Sequence, residues 1–334
     1  MGDLPQGVLI IGSVPLKNVE EVFRTCGKIV GTRLVSLPDG ETGGRLSWLG
    51  HQRARFDRHP QLQLLNVGNQ GSALYHFKEG TKLHFESLGY SDFAGDSYTI
   101  FKRMQAEGVV PRNLRFQVSL PTPLNLLSFF DPDQGQEVES ALIEAFRREI
   151  RTVISHILPE KLALQWDMPR EVAILRGLQP TGSPDPLTRI ISMLNNISAA
   201  IPESTLLGMH LCCGDRHYRP IQELDDLGVL VRLANVLAER LEHRLDWVQM
   251  PVPPERDDLN YFRPLGDLEI GTGKLFLGLV HYRDGTEGAL RRIETARKLV
   301  AEFGVTTECG LGRRNPETIP DLLKTLAQVS TPMS

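Results

Sequence analysis

The stretch Leu206-Leu207-Gly208-Met209-His210-Leu211-Cys212-Cys213-Gly214-Asp215-Arg216-His217 decides how the chain is read. A short apolar run stops abruptly in histidines, cysteines and an aspartate, the pattern of a buried strand that delivers polar side chains to a site at its end. Taken singly, these residues have a plainer reading, with Cys212 and Cys213 as small buried hydrophobes and His210 as a core histidine whose hydrogen bonds are met. A second stretch, Val305-Thr306-Thr307-Glu308-Cys309-Gly310-Leu311-Gly312-Arg313-Arg314, is again a strand-like run ending in a thiol beside glycines. Two such ends meet only in a fold that gathers many strand termini on one side.

Working outward, further apolar runs lie at 8–15, 33–38, 114–123, 162–169, 245–254 and 274–281. Helical periodicity separates them. Val19, Val22 and Phe23 share one side of a helix over 18–26, and Val138, Leu142, Phe146, Ile150, Val153 and Ile157 form the stripe of a long one. Further helices are predicted near 187–200 and 228–243, through Leu290, Ile293, Ala296 and Val300, and over 320–329. The runs are continuous rather than alternating, which indicates parallel strands buried on both faces. Eight such runs select a (β/α)8 TIM barrel, 1–334 as one domain, over a doubly wound sheet with its Gly-rich first loop.

Residues 46–113 break the rhythm with scattered aromatics and one helix expected over 96–107. They read as a long insertion after the second strand, either a lid over a pocket or a segment packed on the barrel side.

The carboxyl ends of the runs carry Ser13, Asp39 and Glu41, Gln165 and Asp167, His210 and Cys212, Gln249, His281 and Asp284, and Glu308 and Cys309, while the amino ends are bland. In a barrel these ends converge on the face that holds the site.

Composition narrows the partners. The net charge is -4, and no basic block exceeds the pairs Arg147-Arg148, Arg291-Arg292 and Arg313-Arg314, which argues against nucleic acid. No apolar run approaches the length of a membrane span, and no leader is expected. Four cysteines, two of them adjacent, do not make a disulfide framework and fit a reducing, cytoplasmic setting. The partner expected is a small-molecule substrate; the sequence does not specify an oligomeric state.

The strand order, Gly12-Ser13, His210-Leu211-Cys212 and Glu308-Cys309-Gly310-Leu311 together resemble the catalytic barrel of cobalamin-independent methionine synthase and its smaller relatives in the uroporphyrinogen decarboxylase/methionine synthase-like superfamily. The resemblance implies a zinc site in which His210, Cys212 and Cys309 match three of the family's ligands. The family's further ligand, a Glu at the end of strand six, does not carry over, because the run reads Val248-Gln249-Met250-Pro251. Gln249 can offer a carbonyl oxygen there, and Glu308 neighbours Cys309 in sequence, although neighbours point to opposite faces unless the strand has already ended. The chain has about half the length expected of two-barrel methionine synthases, so a single-barrel member with a drifted reaction is expected. The decarboxylase branch lacks its arginine-rich N-terminal signature here.

Asp39 and Glu41 lie in a Gly-flanked loop with Arg45, where they bind a substrate amine, act as acid and base, or simply hold the loop. Asp167 is a carboxylate at a barrel-strand end, and His281 either a general base or a histidine donating to a loop carbonyl. Ser13, Arg45, Gln165, Gln249 and Arg313 are the expected substrate contacts, with Arg313 or its neighbour Arg314 placed to clamp an anion. The leading expectation is an enzyme for zinc-assisted methyl or alkyl transfer to, or cleavage from, a small thiol. Two alternatives stand beside it: a metal-free lyase, isomerase or cyclase acting on a mostly apolar molecule, as in secondary metabolism, and a non-catalytic ligand-binding barrel. Ionisable groups crowded at strand ends speak against the last, since unused buried charge is costly.

Overall fold

Seven of the apolar runs form one parallel sheet in a computed structural model that describes residues 4–67, 73–78, 80–180, 183–216, 219–220 and 223–333. In chain order the strands are β1 (Ser36–Pro38), β2 (Leu62–Val67), β3 (Ala73–Phe77), β4 (Arg115–Pro121), β5 (Leu162–Asp167), β6 (Leu206–His210), β7 (Asp215–Arg216), β8 (Arg219–Pro220), β9 (Trp247–Pro251), β10 (Lys274–Val280) and β11 (Gly304–Thr307). The sheet runs β1-β4-β5-β6-β9-β10-β11, while β2-β3 and β7-β8 are small antiparallel pairs.

The helices are α1 (Val19–Val30), α2 (Arg53–Phe56), α3 (Tyr90–Ala106), α4 (Pro123–Leu126), α5 (Gly135–His156), α6 (Pro169–Leu175), α7 (Pro186–Ser198), α8 (Gly228–Arg240), α9 (Leu259–Phe262), α10 (Gly285–Arg297) and α11 (Ile319–Gln328). The result is a mixed α/β fold. Helix α1 shows the local logic: the Asn18 side chain accepts from the Glu21 N–H, Glu20 and Glu21 sit in the first turn, and Val22, Phe23, Cys26 and Val30 are buried.

The expected eight strands are therefore seven in regular ladder form among the described residues. The first run makes isolated parallel bridges instead, and Val8 bridges both Leu34 and Val305. The Leu9 N–H donates to the Val305 carbonyl at 3.1 Å, and the Val8 carbonyl accepts from the Val35 N–H at 3.3 Å. Beyond Leu9 the carbonyls turn inward. Ile10 and Ile11 accept from the Gln117 amide at 3.1 and 2.9 Å, and Ile11 also accepts from Gln165 at 2.7 Å and from the Ser119 hydroxyl at 2.8 Å. Side chains thus satisfy backbone groups that a longer ladder would have paired.

Beneath that polar layer, Leu9, Ala163, Trp247 and Phe276 form an apolar cluster separate from the main core. Two glycines make room for it. A Cβ on Gly208 would lie 1.8 Å from the Trp247 ring, and one on Gly304 would lie 2.2 Å from Phe276.

Helix α3 begins at Tyr90, earlier than the expected 96, and packs on α1 and α5 in the outer helix layer. Its start is fixed from afar, because the buried Glu149 carboxylate accepts the N–H groups of Gly89 at 3.0 Å and Ser91 at 2.6 Å. The β2-β3 hairpin was not foreseen in the sequence. It is anchored through Tyr75, which stacks edge-on against Phe56 at 5.6 Å, while Phe56 meets Phe130 at 5.1 Å. No described helix is long and apolar enough to cross a membrane.

Candidate active site

The ends of β6 and β11 bring three donors together. Strand β6 stops at His210, and Cys212 follows within a turn whose Gly214 N–H donates to its sulfur at 3.1 Å. Strand β11 stops at Thr307, two residues before Cys309. The Sγ atoms of Cys212 and Cys309 lie 3.5 Å apart, and Cys309 Sγ is 3.7 Å from His210 Nε2. The donor atoms of His210, Cys212 and Cys309 all lie within 4.8 Å of one another, a group able to hold a metal ion.

The other ring nitrogen of His210, Nδ1, is hydrogen-bonded to the Gln249 side-chain oxygen. Amide oxygens only accept, so Nδ1 carries the hydrogen and Nε2 turns its lone pair toward the cysteines. Gln249 is itself held by its amide, which donates to the carbonyls of Thr307 at 3.3 Å and Glu308 at 3.4 Å. Its oxygen is thus engaged by the imidazole, which answers the expectation of a substitute ligand there. Glu308 points away from Cys309, accepting from Arg314 at 3.0 Å and lying 3.6 Å from His281 Nδ1.

Electrostatics follow from burial and contact. The Cys212 thiol donates to Cys309, which holds Cys309 well below the usual thiol range and Cys212 well above it. Burial disfavours the charged imidazole of His210, but Cys309, Asp167 and Gln249 together outweigh it and raise the ring's pKa. Asp167 is pushed up to about 6 by burial, against the pull of His210 and hydrogen bonds from Gln165 and the Trp48 side chain. Burial also drives Glu41 well above the carboxylate range, reinforced by Asp167 and Asp39.

A cavity of about 320 Å³ opens over these groups. Of the residues singled out in the sequence, Ser13, Glu41, Asp167, His210, Cys212, Cys309 and Arg313 line it. Asp39, Arg45, Gln165, Gln249 and His281 do not line it, and Asp39 and Arg45 line a smaller neighbouring cavity that Glu41 also borders. Asp39 accepts from Arg45 at 2.6 Å, Ser97 at 2.7 Å and the Glu41 N–H at 2.9 Å, so it fixes the loop that carries Glu41. Arg45 also lies over the Phe93 ring at 4.5 Å. His281 Nε2 meets the Val252 carbonyl at 2.9 Å, and burial, then Arg292, lowers its pKa to about 3, which leaves the ring neutral. His217 lies outside the described residues.

Sequence reasoning missed Trp48 and Arg170, which both line the cavity. Among the described residues, Trp48 (φ 54) and Glu41 (φ 47) are the non-glycine residues with positive φ, and both face this space. Strained backbone of this kind gathers at functional sites because the surrounding contacts must enforce it. The signals available were weak: Glu41 follows a DG turn, but nothing local marks Trp48.

No family model matches the sequence, and no curated protein does. Among solved structures the chain is similar to a B12-independent methionine synthase from Shewanella sp. W3-18-1 in complex with selenomethionine, at 14% identity and a TM-score of 0.64 over 98% of each chain. It is also similar to a putative vitamin-B12 independent methionine synthase from Listeria monocytogenes, at 14% identity and a TM-score of 0.59 over 98% of each chain. Identity this low speaks for fold rather than chemistry. In fold, the chain stands with the B12-independent methionine synthase-like proteins, as the resemblance implied.

Proposed function

We propose that the cavity is the active site of an enzyme that moves a methyl or small alkyl group to or from the sulfur of a small thiol, with zinc held by His210, Cys212 and Cys309. The observation that carries this reading is the spacing of the donors. Zinc with Zn–S of about 2.3 Å and Zn–N of about 2.0 Å in tetrahedral geometry spaces two sulfurs by about 3.8 Å and sulfur from nitrogen by about 3.5 Å. Cys309 lies 3.5 Å from Cys212 and 3.7 Å from His210, and all three donor atoms lie within 4.8 Å of one another. Three protein ligands and an open position toward a cavity are the arrangement of catalytic rather than structural sites.

When bound, zinc would act as a Lewis acid that keeps a substrate thiol as a nucleophilic thiolate near neutral pH. The chain's own residues do the rest. Gln249 fixes the tautomer and angle of His210. Glu41 and Asp167, both shifted toward neutrality, bind a substrate amine or take and return a proton beside the donor cluster. Leu46, Trp48 and Leu49 wall the cavity and exclude water. The Shewanella protein's complex with selenomethionine, the selenium analogue of a thioether amino acid, is consistent with a small organosulfur ligand in this fold.

We read residues 6–11 as the eighth stave of a (β/α)8 barrel, since Val8 bridges toward both sheet edges. On that reading 1–334 is one domain with 46–113 inserted after the second stave, and the ligand is a small molecule.

Zinc content tests the proposal. Protein purified without chelator is expected to hold near-stoichiometric zinc that disappears in Cys309→Ser. Full activity of the Cys212→Ser, Cys309→Ser double variant would instead favour metal-free lyase, isomerase or cyclase chemistry in the same cavity.

A further inference from the structure

Glu41 borders a second cavity besides the one described, a space of about 20 Å³ that Asp39, Arg45, Tyr90, Gln117 and Ser119 also line. That is room for one water molecule and for no organic ligand. Its polar lining is mostly engaged already. Asp39 accepts from Arg45, Ser97 and the Glu41 N–H, the Ser119 hydroxyl donates to the Ile11 carbonyl, and the Gln117 oxygen accepts from Ser36 at 2.6 Å.

Tyr90 is the exception. It is the first residue of α3, whose start Glu149 fixes, and its ring stacks on Phe146 at 5.9 Å. Its hydroxyl is enclosed and has no hydrogen-bond partner among the described residues. Gln52 lies close by, but its amide nitrogen donates to the Leu88 carbonyl at 3.0 Å and its oxygen is also unanswered. Burial outweighs the pull of Gln52 and holds the phenol far above its ordinary range, so the hydroxyl keeps its hydrogen. A buried O–H without an acceptor is costly, and folded proteins answer such groups with ordered water where there is room. The Glu41 carboxyl stands on the same small space: its Oε1 and the Ser119 Oγ each lie 3.3 Å from the point a Cβ on Gly12 would occupy.

We infer that the small cavity is a binding site for one ordered water, which accepts the Tyr90 hydrogen and donates to the Glu41 carboxyl, so that Tyr90 is a positioning residue for that acid. The role of Glu41 rests on the proposed thiol chemistry; the water site does not. The other groups that act on Glu41 are Asp167, Asp39 and Cys309, which disfavour its ionised form, and Arg45, which favours it. A water donating to the carboxylate works with Arg45 against burial. One oxygen of Glu41 is then held, and the other is left for the substrate cavity.

Tyr90→Phe keeps the stacking ring and removes only the hydroxyl. A crystal structure of the zinc-loaded chain, at a resolution that shows ordered water, is expected to place one water within hydrogen-bond distance of Tyr90 Oη and a Glu41 oxygen, and Tyr90→Phe should lose it. Denaturant midpoints give an independent sign: a hydroxyl that water answers makes Tyr90→Phe less stable than wild type, whereas an unanswered one makes it more stable. Carbon NMR of the isotope-labelled Glu41 carboxyl, identified by its absence in Glu41→Gln, should show a titration about one pH unit higher in Tyr90→Phe, a readout that ring packing alone would not move. An empty space in wild type, or a Tyr90→Phe midpoint at or above wild type, overturns the site. An unchanged Glu41 titration overturns the positioning role. A chain that holds the water and shifts Glu41 as expected but binds no thiol sinks the thiol reading and keeps the inference.

Discussion

Gln249 accepts a hydrogen bond from His210 Nδ1 at the ends of two neighbouring strands, and so fixes which ring nitrogen faces Cys212 and Cys309. Gln249→Ala should loosen zinc by about 10–100-fold, the usual cost of losing such an outer partner. Gln249→Glu keeps an acceptor for Nδ1 and should retain most of the affinity. Competition with a chromophoric chelator measures both. Equal affinities in wild type and Gln249→Ala would show that the amide does not orient the ring.

Glu171 is fully buried, and burial raises its pKa to about 7 against the help of Thr122. One of its oxygens has no hydrogen-bond partner. The folded state therefore binds this proton more tightly than the unfolded chain. Its contribution is full below the ordinary carboxylate range and is lost as pH rises to about 7, amounting to about 3 kcal/mol. Glu171→Gln, which mimics the protonated acid, should match wild type at pH 5 and exceed it at pH 8 in denaturant midpoint. Parallel pH profiles for the two would contradict this.

Trp48 lines the cavity, whereas Trp166 and Trp247 are wholly buried. Ligand entry should therefore change tryptophan fluorescence through Trp48 alone. Trp48→Phe is expected to abolish the ligand-dependent signal while leaving the emission of the other two, and to raise the Asp167 titration by removing a donor. A ligand-dependent signal that survives in Trp48→Phe refutes the assignment.

Gly208→Ala should be among the most damaging single-methyl additions, because the new Cβ would fall 1.8 Å from the Trp247 ring in the apolar layer. A loss of at least about 2–3 kcal/mol is expected from forced overpacking. Chemical denaturation measures it, and a loss below about 1 kcal/mol would mean the ring moves freely.

Much of the architecture was legible because strand-like runs and helical stripes are local patterns. The convergence of Cys212 and Cys309 could be anticipated from two thiols at the ends of two such runs. Glu308 and Cys309 do part company, but strand parity does not explain it, because β11 has already ended at Thr307. What periodicity does not encode is height within the sheet interior. Gln165 and Gln249 were read as substrate contacts, but one amide serves the Ile11 carbonyl and the other serves His210. The first run shows the same limit: its apolar character was clear, while its inward-turned carbonyls depend on Gln117, far along the chain. Helix α3 starts where Glu149 caps it, a partner no local window contains. Trp48 and Arg170 were missed because each follows a regular strand, where the path of the chain is tertiary.

The pairing of Val8 with Val305, together with the Thr331 N–H donating to the Pro5 carbonyl at 2.8 Å, joins segments far apart along the polypeptide. During synthesis the amino-terminal segment emerges long before its distal partners exist. A growing chain thus presents an unfinished sheet edge to the cell until residues 305–331 have been made, the condition under which aggregation and chaperone capture compete with folding. Emergence of residues 305–331, rather than any earlier pause, sets the moment at which this sheet can seal.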